Sequence, residues 1–369
     1  MTSQTTARSE PAVPAPPRHA VLLVPAGLAL LAGLDAALVL LGLPAPVSTE
    51  RLVTGHGTLL VLGFVATLVA LERAVALGHP LAFLAPAALT AGGLALISPV
   101  PVVVGRLALL TGACALAAGY VPLWRRRRDV AVLAQALGAV LAVGAAVLSL
   151  PGVPTAVSLP WLVGFVVLTI GGERLELARV AMGGRVEAAL VVLAAALAAA
   201  TAATLLWPPV GYPLLGLVLV TFVGVLCGHD VARHTIHGGG FTRFAAGCLL
   251  AGYCWLAVAG AIWMLGGPTV DGPRYDAAVH AVFLGFTFSM IMAHAPVILP
   301  AVLRRPLPYH PAMVAPAVLL HVSLVLRLWV GDALGVRLAW QIGGALGVAA
   351  VLLFVGVAVW SATRRAGAR

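Results

Sequence analysis

Twelve long apolar runs, rich in Leu, Ala, Val and Gly, follow one another along the 369 residues with only short joints between them. In lipid a backbone amide finds no water, so a run of about 20 apolar residues must satisfy its amides inside a helix or a closed barrel. A barrel needs alternation at a period of two, which these runs lack, so they predict spanning helices. Composition agrees: 62% of residues are hydrophobic, 9% are charged and the mean hydropathy is +1.07, outside the balance of a water-soluble domain. The expected fold is all-α, a polytopic transmembrane bundle of about twelve helices.

The runs place helices near 19–43, 52–76, 80–98, 101–122, 129–150 and 155–178, then 186–206, 210–232, 243–266, 275–303, 308–329 and 337–361. Joints such as Gly42 to Pro46, Ser98 to Pro101, Pro151 to Pro154 and Gly266 to Pro273 are short and rich in Pro or Gly, so no soluble domain is inserted. Residues 1–18 read as a disordered tail, 19–361 as the bundle and 362–369 as a second tail.

Every basic residue besides histidine is Arg, and the arginines gather on one side. Arg125 to Arg128 mark it most strongly. With them fall Arg73, then Arg174, Arg179 and Arg185, then Arg233, Arg243, Arg304 and Arg305, and both tails; the opposite loops carry only Arg51, Arg274 and Arg337. The positive-inside rule then puts both termini in the cytoplasm of a multi-pass cell-membrane protein. The net charge of +10 follows from that bias. It points to an anionic lipid surface as partner and away from nucleic acid. The four cysteines fall in or beside predicted helices without metal-finger spacing, which reads as packing.

Ionisable residues at membrane depth are costly and commonly face a cavity, a cofactor or a partner. Of ten histidines, His56, His280, His294 and His321 fall well inside predicted spans, away from their cytoplasmic ends. His56 and His280 lie four or five residues past the outer ends of the second and tenth helices, so each sits roughly 6 to 8 Å deep. Two imidazoles at one level on different helices are what a b-type haem needs as axial ligands. His294 returns to the face of His280 about 21 Å further along the helix. With His321 on the next helix it makes a second candidate pair, for haem or for copper, which imidazole also suits. Glu173 and Glu176 share a helix face and are candidates for a proton relay, against the plainer reading of solvated charges at a helix end. Arg327 lies deep in the eleventh helix, where a haem propionate or a carboxylate such as Asp332 would neutralise it.

The segment Gly55-His56-Gly57-Thr58-Leu59-Leu60-Val61-Leu62-Gly63-Phe64 resembles the His-bearing helix of the NnrS family, and His280-Ala281-Val282-Phe283-Leu284-Gly285 is similar to a second His helix of that family. Histidines on helices two and ten of twelve also look like the catalytic subunit of haem-copper oxidases. The resemblance implies haem b, with copper beside it, a redox role linked to nitric oxide, and a quinol or a cytochrome as electron donor. The sixth helix departs from the oxidase pattern: it has no His and ends Gly171-Gly172-Glu173-Arg174-Leu175-Glu176. Two alternatives stand beside this reading, a proton-coupled secondary transporter and a structural or assembly protein of a respiratory complex.

Overall fold

In the computed structural model residues 17–364 are described, with backbone alone for 178–183 and 364. Residues 1–16 and 365–369 of the expected tails, and the side chain of Arg179, therefore lie outside the described residues. No strand occurs among those described. Twelve helices are long and apolar enough to cross a membrane: α1 Arg18–Leu40, α2 Glu50–Leu77, α3 Pro80–Ile97, α4 Val102–Arg127, α5 Val130–Ser149, α6 Thr155–Leu177, α7 Gly184–Leu206, α8 Pro208–His229, α9 Gly240–Gly266, α10 Gly272–Leu303, α11 Pro311–Ala333 and α12 Arg337–Thr363.

The joint expected between the sixth and seventh helices is itself helical, so α6 and α7 belong to one continuous ladder from Thr155 to Leu206. The ladder folds back on itself. A Cβ built at Gly164 would lie 3.4 Å from Thr201 Oγ1, whereas a straight helix rising ~1.5 Å per residue would hold them about 55 Å apart.

Helix ends form where the sequence offers caps. Thr49 accepts from the Leu52 N–H at 3.4 Å to open α2, and Asp129 accepts from the Ala131 N–H at 2.9 Å to open α5. Gly78 closes α2 with a φ of 65°, a left-handed turn that costs glycine nothing. Several bonds hold the arginine-rich ends together. Arg126 donates to the Leu77 carbonyl at 3.3 Å, Ser361 Oγ to the Pro308 carbonyl at 2.7 Å, and His19 Nε2 lies 2.9 Å from the Val302 carbonyl. The two described chain ends thus share a side with the Arg125 to Arg128 run.

Burial sorts the helices into centre and rim. The most apolar stretch of α6 is 78% buried and that of α10 is 61%, against 28% for α4. The rim helices turn residues such as Val103, Leu107, Val192, Leu214 and Val359 outward, where lipid is the fitting solvent. Apolar tails compete for those faces, so close packing rather than the hydrophobic effect must hold helix to helix. Gly216 of α8 shows how: a Cβ there would strike the Met264 amide nitrogen and the Gly260 carbonyl oxygen of α9. Backbone cannot rotate away as a side chain can. Gly216→Ala is therefore expected to destabilise the bundle by about 1–3 kcal/mol, read as a lower unfolding temperature of the detergent-purified protein; an unchanged temperature would count against so close a crossing.

Among the described residues three spans leave the α-helical winding over part of their length. Leu59–Val65 of α2, Ala281–Phe288 of α10 and Val325–Ala333 of α11 are wound as π-helix, a form that is rare and frequent at functional sites. Each contains one glycine against a neighbour: Gly63 meets Ala29 Cβ, Gly285 the Trp255 ring and Gly331 the Trp340 backbone.

Candidate functional site

The first two π segments begin just after His56 and His280, and the two histidines line one cavity of about 370 Å³ in the half of the bundle away from the arginine-rich side. Its walls are largely apolar and aromatic, with Phe64, Tyr275, Phe283 and Phe288 among them and Gly57 beside His56.

The two imidazoles are held in the same way. His56 Nδ1 is 2.8 Å from the Gly33 carbonyl of α1, and His280 Nδ1 is 2.8 Å from the Asp276 carbonyl one turn earlier in α10. A carbonyl only accepts, so Nδ1 carries the proton in both rings, which leaves each Nε2 with a free lone pair. Histidines that bind metal are oriented by this kind of bond.

Beside them lies an ion pair that the sequence reading assigned differently. Arg327 is neutralised by Asp276 rather than Asp332: its Nε and one terminal nitrogen donate to the two carboxylate oxygens at 2.8 and 2.7 Å. The Trp340 indole donates to the same carboxylate at 3.2 Å and its ring lies under the guanidinium at 5.3 Å. Asp332 instead lies close to Asp276. The reason is register, since Asp276 faces α11 and α12 from the turn that also orients His280.

His294 and His321 are not brought together at a common cavity. His294 is buried, with Nδ1 bonded to the Met290 carbonyl and Nε2 at 3.4 Å from an Arg174 terminal nitrogen. His321 Nδ1 accepts from the Trp255 indole at 3.1 Å, on the ring that packs against Gly285.

Arg174 and Arg73, read from the sequence as loop charges, are both buried inside the bundle. Arg174 makes a two-pronged pair with Asp230, just past the end of α8, at 3.0 and 2.8 Å, and the Tyr253 hydroxyl donates to Asp230 at 2.6 Å. Burial pushes the Asp230 carboxyl up, but the bonds and charge of Arg174, with those from Tyr253 and the Ala232 N–H, outweigh it and hold the group below its ordinary range. A carboxylate so held contributes stability that is present above its unfolded pKa of about 3.9 and is lost as pH falls through the lower folded value. The stability gap between the native chain and Asp230→Asn should accordingly stay constant from pH 7 to about pH 4 and narrow only below; narrowing already near pH 6 would contradict the assignment.

Arg73 gathers the acids. Glu72 lies 2.5 Å and Glu176 3.3 Å from its terminal nitrogens, and one of these donates to Gln135 at 3.2 Å. Glu173 is buried and, with Glu72 and His294, lines a second cavity of about 110 Å³ toward the arginine-rich side. Glu173 is thus buried, whereas Glu176 is paired with Arg73 but about a third exposed. Among the described residues no group of three or more His, Cys, Asp and Glu is gathered to hold a metal ion.

Sequence reasoning missed Asp276 as a partner of His280, although their spacing of one helical turn was a usable signal. It also missed Asp230, Tyr253 and Trp340, which are distant in sequence from what they touch.

Residues 18–363 match the family described as Domain of unknown function (DUF8744). The chain belongs to this family. No curated protein and no solved structure matches it.

Proposed function

We propose that this DUF8744 chain is a b-type haem protein of the membrane, in which His56 and His280 would hold the haem, with a redox role of the NnrS-like, nitric-oxide-related kind. One observation carries the reading: both imidazoles are oriented through Nδ1 onto backbone carbonyls while both line a single apolar cavity. The residues fit the group. About 370 Å³ is within the range of small-molecule sites, aromatic walls suit a flat macrocycle, and Arg327 supplies a guanidinium for a carboxylate substituent. Bound there, haem supplies a one-electron centre. The chain's residues hold imidazole nitrogens toward it, fix their tautomer, exclude water with Phe64, Phe283 and Phe288, and place the Asp276–Arg327 pair beside it. The proposal rests on haem, which the two imidazoles would hold. A quinol or a cytochrome serves as donor of electrons.

The test is a titration of haem-depleted, detergent-purified protein with haemin. Saturation at one haem per chain is expected, and binding that does not saturate would contradict the proposal.

A specific observation also favours a proton-handling reading. Glu72 and Glu173 line one cavity, and Arg73 pairs with Glu72 and with the half-buried Glu176, so the three carboxyls have room to share a proton. If that proton is transported, Glu173→Gln should reduce proton uptake into proteoliposomes about tenfold or more, of the order of loss of a general acid or base; uptake equal to the native rate would remove the relay.

A further inference from the structure

The cavity of about 110 Å³ between α1, α2, α6 and α10 has no part in holding the haem. Its size is of the order of the space that takes one six-membered ring in a protein interior. Leu23, Leu68, Ile291, Ile298 and Leu299 form an apolar wall of half-buried side chains between α1, α2 and α10, facing the lipid side. The inner end is different. Thr169 of α6 and Thr287 of α10 line it, each 2% exposed, and each hydroxyl is buried without a hydrogen-bond partner. A buried hydroxyl without a partner loses its bonds to water and gains none in return, so two of them on one small cavity point to a ligand that bonds both. Glu173 lines the same end. His294 is already satisfied on both nitrogens, by Met290 and Arg174, which leaves the threonines and Glu173 as the groups free to recognise a head.

We infer that this cavity is a binding site for a membrane-soluble quinone or quinol, with the ring between Thr169 and Thr287 and the apolar tail leaving along the α1, α2 and α10 wall. Quinone oxygens accept from the two hydroxyls, and quinol hydroxyls donate to them or to Glu173. A plain acyl chain satisfies neither hydroxyl. Thr287 and Val65 also line the His56 and His280 cavity, so the two sites share a wall. The inference deepens the reading of an electron donor but stands on this cavity alone.

The experiment measures binding of decyl-ubiquinone to the full-length protein in nanodiscs, with decylbenzene as competitor. Saturable binding at one per chain is expected, unaffected by decylbenzene. Thr169→Val and Thr287→Val, which keep shape and remove only the hydroxyl, should each weaken it about fivefold, as the loss of one hydrogen bond does. Ile291→Trp should obstruct the wall and abolish binding. Equal displacement by decylbenzene, or native affinity in both valine variants, would overturn the inference. The dithionite-reduced spectrum of Thr169→Val, which lies outside the His56 and His280 cavity, separates the two readings: a haem band that persists while quinone binding is weakened supports distinct sites, and quinone binding in a colourless protein would fault the haem reading alone.

Discussion

His56→Ala and His280→Ala are each expected to abolish the same haem absorbance, leaving a protein that still inserts and folds. A single haem held by both imidazoles would be lost with either, so neither variant should keep half of the signal. The apolar cavity tolerates the smaller side chain, because what is lost is one bond from each Nδ1 to a carbonyl that remains in its helix. His294→Ala should leave the band in place, since His294 lines the other cavity and contacts Arg174. Independent, partial losses in the His56 and His280 variants would mean that the two imidazoles serve different centres.

The second large effect is on stability. Asp230→Ala removes both prongs of the Arg174 pair and the acceptor of the Tyr253 hydroxyl, all of them buried. Breaking a buried ion pair from one side costs about 3–5 kcal/mol, because the remaining charge stays behind without compensation. The loss should appear as a markedly lower unfolding temperature in detergent. The pair Asp230→Leu with Arg174→Leu should recover much of it, because no unpaired charge remains. A single variant as stable as the native protein would show that water reaches Arg174.

Why the sequence disclosed some of this and hid the rest follows from which signals stand out against an apolar background. His56 and His280 were legible because an imidazole inside a Leu, Val and Gly run has few reasons to be there, and helix counting gives its depth. Spanning helices were legible for the same reason. The π-winding was not: over seven to nine residues that are nearly all apolar, a wider turn leaves the pattern unchanged, and only Gly63, Gly285 and Gly331 hint at the close approach. Arg73 and Arg174 were misread because a count of arginines per side does not separate a loop charge from one that turns inward to Glu72 or Asp230. The grip of Asp276 on Arg327 depends on how α10 and α11 meet, which no spacing along one helix shows. Depth can be counted along one helix, but pairing between helices cannot, which is why His294 and His321 seemed to belong together.

The most direct test of the central claim is the reduced-minus-oxidised visible spectrum of the detergent-purified protein, expressed with ample haem and quantified on the same sample. Sharp b-type bands at one haem per chain are predicted. A flat spectrum from folded protein would contradict a haem between His56 and His280.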